Sequence, residues 1–297
     1  MKGKIEATMM AAALVAVGAQ ADGFGSGANA FSLDFVNIGY AGNAADVSTG
    51  YGAVSDSYRM GMHEITIDQF TKANAAALGT LGDGNENPWS IGVNGAALNT
   101  SWLEAAKFAN YLTSGTYNGG AYQFSDVNTL TGVDRAAAVG TYGTVYVLPT
   151  EDEWYKAAFL KSDGSAYTLY ASGDPVPGVE TDANYGGFGG TYSSPWDVGT
   201  GNAENNGTFD MNGNVREWNE SAWDGTLDNM GESRVVRDGA FHSDEALLRS
   251  SNRIGFSPSI EGNTIGFRVA AIPEPSSVAM VGMVSGLGFF IRRRLMM

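Results

Sequence analysis

Cysteine is absent from this sequence of 297 residues, and histidine occurs only twice, as His63 and His242. Without cysteine the chain can form no disulfide bond, no cysteine-ligated zinc site and no thiol-based catalytic centre. Two histidines so far apart in sequence do not define a metal or catalytic site by themselves. The neighbours Ser243 and Asp244 do not complete a triad with His242, because adjacent residues cannot converge as nucleophile, base and orienter.

Charged residues are also few, at 16% of the chain, and basic residues are the scarcer kind. Seventeen Lys and Arg stand against thirty-two Asp and Glu, which gives a formal net charge of -15. Such a surface repels nucleic acid and anionic lipid. We therefore expect no nucleic-acid partner, and membrane contact only through the C-terminal tail described below.

Glycine, in contrast, is abundant, with 41 residues, and 43% of the chain is hydrophobic. This composition predicts a globular domain with many irregular connections. Three helix starts are indicated by a hydroxyl residue followed three positions later by Glu or Gln, so that the two side chains satisfy free backbone N–H groups. They are Thr66 with Gln69, Ser101 with Glu104, and Thr150 with Glu153. With short β-rich runs at 145–148 and 265–270, the pattern predicts a loop-rich α+β fold.

The N-terminal residues 1–21 have the pattern of a secretory signal peptide. Lys2 and Lys4 precede a short apolar run at 9–17, and Ala19-Gln20-Ala21 supplies small residues for cleavage. We expect export through the secretory pathway, with residues 22–57 as a lead-in segment to the main domain.

The C-terminal residues 273–297 join a Pro-Glu-Pro tripeptide, an apolar run at 278–291 and three consecutive arginines at 292–294. These three parts, in this order, resemble the PEP-CTERM sorting tail of bacterial exported proteins. The resemblance implies recognition by exosortase-type sorting machinery and a transient C-terminal membrane anchor. It places the protein in the cell envelope, on the cell surface or in the extracellular matrix of a bacterium.

The stretch FDMNGNVREWNE at 209–220 admits two interpretations. Asp210, the carbonyl groups of Gly213 and Val215, and Glu217 could supply the hard oxygen ligands that calcium prefers. Alternatively, Asn212-Gly213 could close a hairpin turn before a strand that carries Glu217. Spacing alone leaves both open.

Eight ordered blocks of sequence resemble the formylglycine-generating enzyme, or sulfatase-modifying factor, family. They are MHEITIDQF (62–70), LNTSWLEAAKFANYL (98–112), VLPTEDEWYKAA (147–158), ANY (183–185), GTFDMNGNVREWNE (207–220), RVVRDGAF (234–241), LRSSNR (248–253) and IGFRVA (265–270). The resemblance implies a single domain over 58–272 with this family's variant of the C-type lectin fold, which has little regular secondary structure.

The same resemblance bears on metals. It implies a calcium site at Asp210, Gly213, Val215 and Glu217. A second family site would begin at Asn184 and the carbonyl of Tyr185, but its downstream acid is not evident.

The resemblance does not extend to the copper-binding cysteines of the family's oxidase. The family's oxidase oxidises a substrate cysteine with copper held by two cysteines, whose positions match Glu245 and Ser250 here. Neither residue can replace a thiolate as a copper(I) ligand. The helical domain with which other relatives hold nonheme iron is absent, so we expect neither copper nor haem.

The sequence leaves two functions open. The first is a non-catalytic binding or structural module, with polysaccharide or envelope proteins as candidate partners. The second is a divergent oxidase or other enzyme that uses His242, Glu245 and neighbouring polar groups. The second requires these side chains to line one pocket with Arg249 or Arg253. The first agrees with Arg249, Arg253 and Arg268 serving as structural ion-pair partners.

Overall fold

The computed structural model describes residues 19–83, 89, 91–179, 181–186 and 194–272. Most of the predicted signal peptide, residues 1–18, and the whole predicted sorting tail lie outside these ranges. Within them, each helix is too short or too polar to cross a bilayer.

Regular structure in the described residues consists of eleven strands, four α-helices and two single-turn 3-10 helices. The strands are β1 (Gln20–Phe24), β2 (Phe31–Ile38), β3 (Tyr58–Gly61), β4 (Tyr122–Asp126), β5 (Thr129–Val133), β6 (Val145–Val147), β7 (Arg216–Ala222), β8 (Arg234–Arg237), β9 (Ile254–Phe256), β10 (Ile265–Gly266) and β11 (Ala270–Ile272). The helices are α1 (Ile67–Ala76), α2 (Trp102–Ser114), α3 (Arg135–Tyr142) and α4 (Glu151–Phe159). The loop-rich α+β prediction is confirmed.

One sheet joins the beginning and the end of the described chain. Its strand order is β1-β2-β3-β11-β6, and all neighbouring strands are antiparallel. The last strand, β11, lies between β3 and β6, with Ala270 opposite Met60. Strands β1 and β2 extend the sheet beyond β3, so the segment predicted as a lead-in contributes an edge of the same sheet.

The three predicted helix starts are confirmed, each with both hydrogen bonds of the capping box. At α1, for example, the Thr66 hydroxyl accepts a bond from the Gln69 N–H, while the Gln69 side chain accepts one from the Thr66 N–H. The boxes of α2 and α4 are formed in the same way. Helix α3 was not predicted, because Asp134 caps it without a Glu or Gln three residues later.

A second sheet, of order β10-β7-β8-β9, contains Glu217 on its strand β7. Strand β7 pairs parallel with β10 and antiparallel with β8. The strand predicted to carry Glu217 is therefore present. Its partners lie later in the chain, so the Asn212-Gly213 pair before it does not close a hairpin, and that part of the turn interpretation is wrong.

Three buried tryptophans connect β7 with helices α2 and α4. The Trp102 indole N–H donates to the Asn219 carbonyl at 2.8 Å, and the Trp218 indole N–H donates to the Thr100 carbonyl at 2.9 Å. The third, Trp154, donates to the Glu217 carboxylate at 2.8 Å. Since a buried indole needs a partner for its N–H, these bonds fix β7 against both helices.

Candidate functional site

The loop before β7 adopts a conformation that depends on glycine and short polar residues. Asp210 and Asn214 have φ of 61° and 59°, in the left-handed region that Asp and Asn tolerate best among residues with a side chain. Gly213 has φ of 94°, and a Cβ atom there would lie 2.3 Å from the Asn184 carbonyl oxygen. Only glycine permits this close approach.

The two segments predicted to bind calcium are in direct contact. The Asn214 N–H donates to the Asn184 carbonyl at 2.8 Å, and the Asn184 side-chain amide donates to the Asn214 side-chain oxygen at 3.2 Å. Tyr185 is buried, and its hydroxyl donates to the Pro177 carbonyl at 2.6 Å. The structure therefore brings Asn184 to the 210–217 loop through hydrogen bonds between the two segments.

Alternate backbone N–H groups of this loop are bound by buried carboxylates from other parts of the chain. The N–H of Met211 donates to Glu204 at 2.9 Å and that of Gly213 donates to Asp238 at 2.8 Å. The N–H of Val215 donates to Glu64 at 3.2 Å. The loop pairs with the segment of Asn184 through a parallel bridge at Gly213. The acids satisfy the alternate backbone donors, which would otherwise be buried without a partner. None of these three acids, Glu64, Glu204 and Asp238, was predicted from the sequence.

Glu217, predicted as a calcium ligand, forms a fully buried ion pair with Arg268. The Arg268 Nη2 and Nε donate to the two carboxylate oxygens at 2.6 and 2.7 Å. Trp154 donates to one of the same oxygens. Arg268 also donates to the carbonyl groups of Gly61 and Phe209. Both side chains of the pair have no exposed surface.

The carboxylates around this pair outnumber the cations. Glu64, Glu204, Asp210 and Asp238 are all buried. The positive charge of Arg268 acts to lower the pKa of the first three, but the effect of burial is larger. Burial raises the pKa of all four, to about 8 for Glu204 and well above the usual range for Glu64 and Asp238. The centre thus carries an excess of negative charge that protonation or a bound cation would relieve.

Asp210 and Glu217 differ in how well they fit a calcium ion. One oxygen of Asp210 accepts a bond from the Gly199 N–H at 2.6 Å, and the other accepts a longer bond of 3.2 Å from Trp196. Each oxygen of Glu217 is already bound by the guanidinium of Arg268. The observed donors therefore leave Asp210 as the better ligand, and Glu217 fits as the partner of arginine.

The described residues contain one set of three carboxylates whose oxygens lie within 4.8 Å of one another: Asp83, Glu104 and Glu261. Glu104 also closes the capping box of α2. Lys107 lies near two of these acids, which act to raise its pKa against the larger effect of burial. A lysine thus already supplies a counter-charge to this set.

His242 and Glu245, the two residues considered for catalysis, contact different partners. The ring of His242 lies 5.0 Å from that of Phe241, and burial with nearby Arg216 lowers the pKa of His242. Glu245 instead forms an ion pair of 2.8 Å with Arg249, in which both side chains are 43% exposed. No common partner joins His242 to Glu245 in these contacts.

Arg249 and Arg253 both form ion pairs, which agrees with the hypothesis of a non-catalytic module. Arg253 binds Glu151 with Nε and Nη2, at 2.8 and 3.0 Å. In the acidic first turn of α4, Glu151 binds Arg253 and Glu153 binds Arg135. Ser250 is buried, and its N–H donates to the Leu169 carbonyl.

Comparison with known proteins assigns the family. Residues 52–272 match the model of the sulfatase-modifying factor enzyme 1-like domain. The chain belongs to this family. No curated protein sequence matches it significantly.

Solved structures share the fold of this sulfatase-modifying factor domain. The crystal structure of CarF matches with a TM-score of 0.62 and 21% identity, over 80% of this chain and 97% of CarF. Treponema denticola variable protein 1 matches with a TM-score of 0.62 and 18% identity, over 85% and 99% of the two chains. PvdO from Pseudomonas aeruginosa has a TM-score of 0.55 and 18% identity, over 84% and 97%. At these identities the likeness establishes the fold alone.

Substitution of Arg268 by Met tests the importance of the buried pair. It leaves Glu217 without its cation, and we expect the free energy of unfolding to fall by about 3–5 kcal/mol. Urea denaturation followed by tryptophan fluorescence measures this loss. Arg249→Met, which breaks an exposed pair, is the matched control and should produce no measurable change. Equal effects of the two substitutions would contradict the assigned role of Arg268.

The raised pKa of Glu204 predicts a pH dependence of stability. Its ordinary pKa is 4.5 and its folded value is about 8, so the folded state binds the extra proton between these values. The stabilisation is complete below pH 4.5 and is lost as the pH rises through about 8. Glu204→Gln should therefore be more stable than the wild type at pH 8, by on the order of a few kcal/mol, with a smaller difference at pH 5.

Urea denaturation in EDTA at several pH values measures this difference. Glu245→Gln at the surface is the control, and it should follow the wild-type curve. Parallel curves for Glu204→Gln and the wild type would show that Glu204 does not titrate in this range.

Proposed function

We propose that this protein is an exported, non-catalytic binding or structural module of the sulfatase-modifying factor family, located at the bacterial envelope. The observation that carries the proposal is the absence of cysteine from a chain whose family uses two cysteines to hold copper. The matching positions are Glu245, which pairs with Arg249 at the surface, and Ser250, which is buried. Neither side chain offers the soft sulfur ligand that copper(I) prefers.

Export rests on the two terminal sequence patterns, and the start of the sheet is compatible with it. Cleavage after Ala21 would remove the first two residues of β1 and leave Asp22–Phe24. Asp22 would keep its ion pair with Arg59 at 2.7 Å and its bond from the Tyr146 hydroxyl. The mature N-terminus would then be fixed to the sheet by its first side chain. The tail at 273–297 supports sorting by exosortase-type machinery.

The catalytic part of the proposal is tested with the purified protein, copper(I), oxygen and a cysteine-containing peptide. We expect no conversion of the peptide cysteine to formylglycine, as measured by mass spectrometry, because the chain has no thiolate to hold the copper. Elemental analysis of the same preparation should find copper and iron only in substoichiometric amounts. Turnover above a protein-free control, or stoichiometric copper or iron, would overturn the non-catalytic proposal.

We also propose one structural calcium ion at the 210–217 loop. The excess of buried carboxylates supports it, because a divalent cation would neutralise charge that Arg268 alone cannot balance. Asp210 and the carbonyl groups of Gly213 and Val215 are the proposed ligands, with Glu217 retained by Arg268. Such an ion would hold the loop against the segment of Asn184.

Thermal denaturation with calcium or EDTA tests this site. Calcium at about one hundred times its Kd should add about 2.7 kcal/mol to the free energy of unfolding. Asp210→Asn should lose this gain, because the amide lacks the anionic ligand. Asp163→Asn, at an exposed position, should keep it. A wild type that is unaffected by calcium, or an Asp210→Asn variant with the full gain, would refute the site.

A further inference from the structure

A cavity of about 260 Å³ lies beside the start of α4 and the end of β7. Its lining includes Tyr51, Thr150, Glu151, Glu220, Ser221 and Leu227. Carboxylate, hydroxyl and aromatic groups thus converge on one space from three separate parts of the chain. The Gly52 N–H donates to Asp152 at 2.7 Å, which holds the segment of Tyr51 against the helix.

Tyr51, which lines the cavity, belongs to a cluster in which arginines alternate with aromatic rings. The guanidinium of Arg237 lies 4.7 Å from the ring centre of Tyr51 and 5.1 Å from that of Tyr155. The guanidinium of Arg253 lies 5.3 Å from Tyr51 and 4.0 Å from Trp223. Because each ring is fixed by a cation on its face, the aromatic surfaces are held in place before any ligand binds.

Three acids line the cavity. Asp152 accepts the bond from the Gly52 N–H, and the other two are paired with arginines. Glu151 pairs with Arg237 at 2.6 Å and with Arg253 at 2.8 Å. Glu220 pairs with Arg135 at 2.8 Å. A strongly cationic or anionic ligand would therefore find no uncompensated opposite charge from these ion pairs. Their remaining lone pairs and the nearby hydroxyls suit a neutral ligand with many hydroxyl groups.

Trp223 supplies an exposed aromatic surface next in sequence to the residues that line the cavity. It lies in the chain between Ala222 and Gly225, which both line the cavity, and the residue is 40% exposed. Gly255 lies under the indole, where a Cβ atom would be 2.8 Å from a ring carbon. The glycine thus lets the ring lie flat on β9, with Arg253 on one of its faces.

We propose that this cavity binds one unit of a neutral saccharide, whose apolar ring face contacts Trp223 and whose hydroxyl groups bond to the polar lining. This deepens the proposed function as a binding module and rests on it. The net charge of -15 agrees with a neutral ligand, because a polyanionic glycan would be repelled.

Isothermal titration of the full-length protein tests the proposal with four defined hexasaccharides. Cellohexaose and maltohexaose are the neutral probes, hexagalacturonate is the anionic one and hexaglucosamine is the cationic one. We expect saturable binding of at least one neutral probe and no binding of the charged ones. Trp223→Ala should weaken that binding about tenfold, as the loss of one aromatic contact implies.

Two variants control for indirect effects. Trp223→Phe should retain most of the affinity because it keeps a ring over Gly255. Tyr142→Ala removes an aromatic side chain of similar exposure, 43%, from α3 and should bind as the wild type does. Unfolding midpoints confirm that all variants are folded.

The proposal is overturned if neither neutral probe binds at concentrations up to about 10 mM. A Kd above about 10 mM would mean a negligible affinity. It is also overturned if a charged probe binds more tightly, or if Trp223→Ala binds as the wild type does. These failures differ from failure of the proposed function, which would appear as copper-dependent turnover of the peptide.

Discussion

The buried ion pair between Glu217 and Arg268 organises the interior of this domain. Removing two charges from water is costly, and the cost is offset only when each remaining donor and acceptor finds a partner. Arg268 meets this requirement by also binding the carbonyl groups of Gly61 and Phe209. One side chain thereby joins the end of β3, the loop before β7 and β7 itself. The two larger sheets are held at this point.

The loop before β7 shows how an irregular segment can be buried. In a sheet, its N–H groups would bind the carbonyl groups of a neighbouring strand. Here the carboxylates of Glu64, Glu204 and Asp238 bind them instead, at alternate residues. Charged acceptors make stronger bonds than carbonyl groups, but they also concentrate negative charge in the interior. The same buried carboxylates therefore fix the conformation of the loop and create its need for protons or a bound cation.

Local patterns were readable from the sequence, whereas distant pairings were not. The capping boxes located three helix starts to the residue, because both partners lie within one turn. Strands β1 and β2 were missed, because β1 begins inside the predicted signal peptide and β2 pairs with β3 across a long intervening loop. The family resemblance located the 210–217 loop, but it could not show that Glu217 is bound by an arginine 51 residues later. The cavity beside Trp223 was missed for the same reason, because its lining comes from three separate segments.

The position of β11 in the middle of its sheet has a mechanical consequence. Strand β11, which ends at Ile272, is hydrogen-bonded to β3 on one side and to β6 on the other. An edge strand can be peeled away one bond at a time, but a central strand pulled along its length loads the bonds on both sides together. A tether attached at this end would therefore transmit force into the interior of the sheet, where the domain resists extension best.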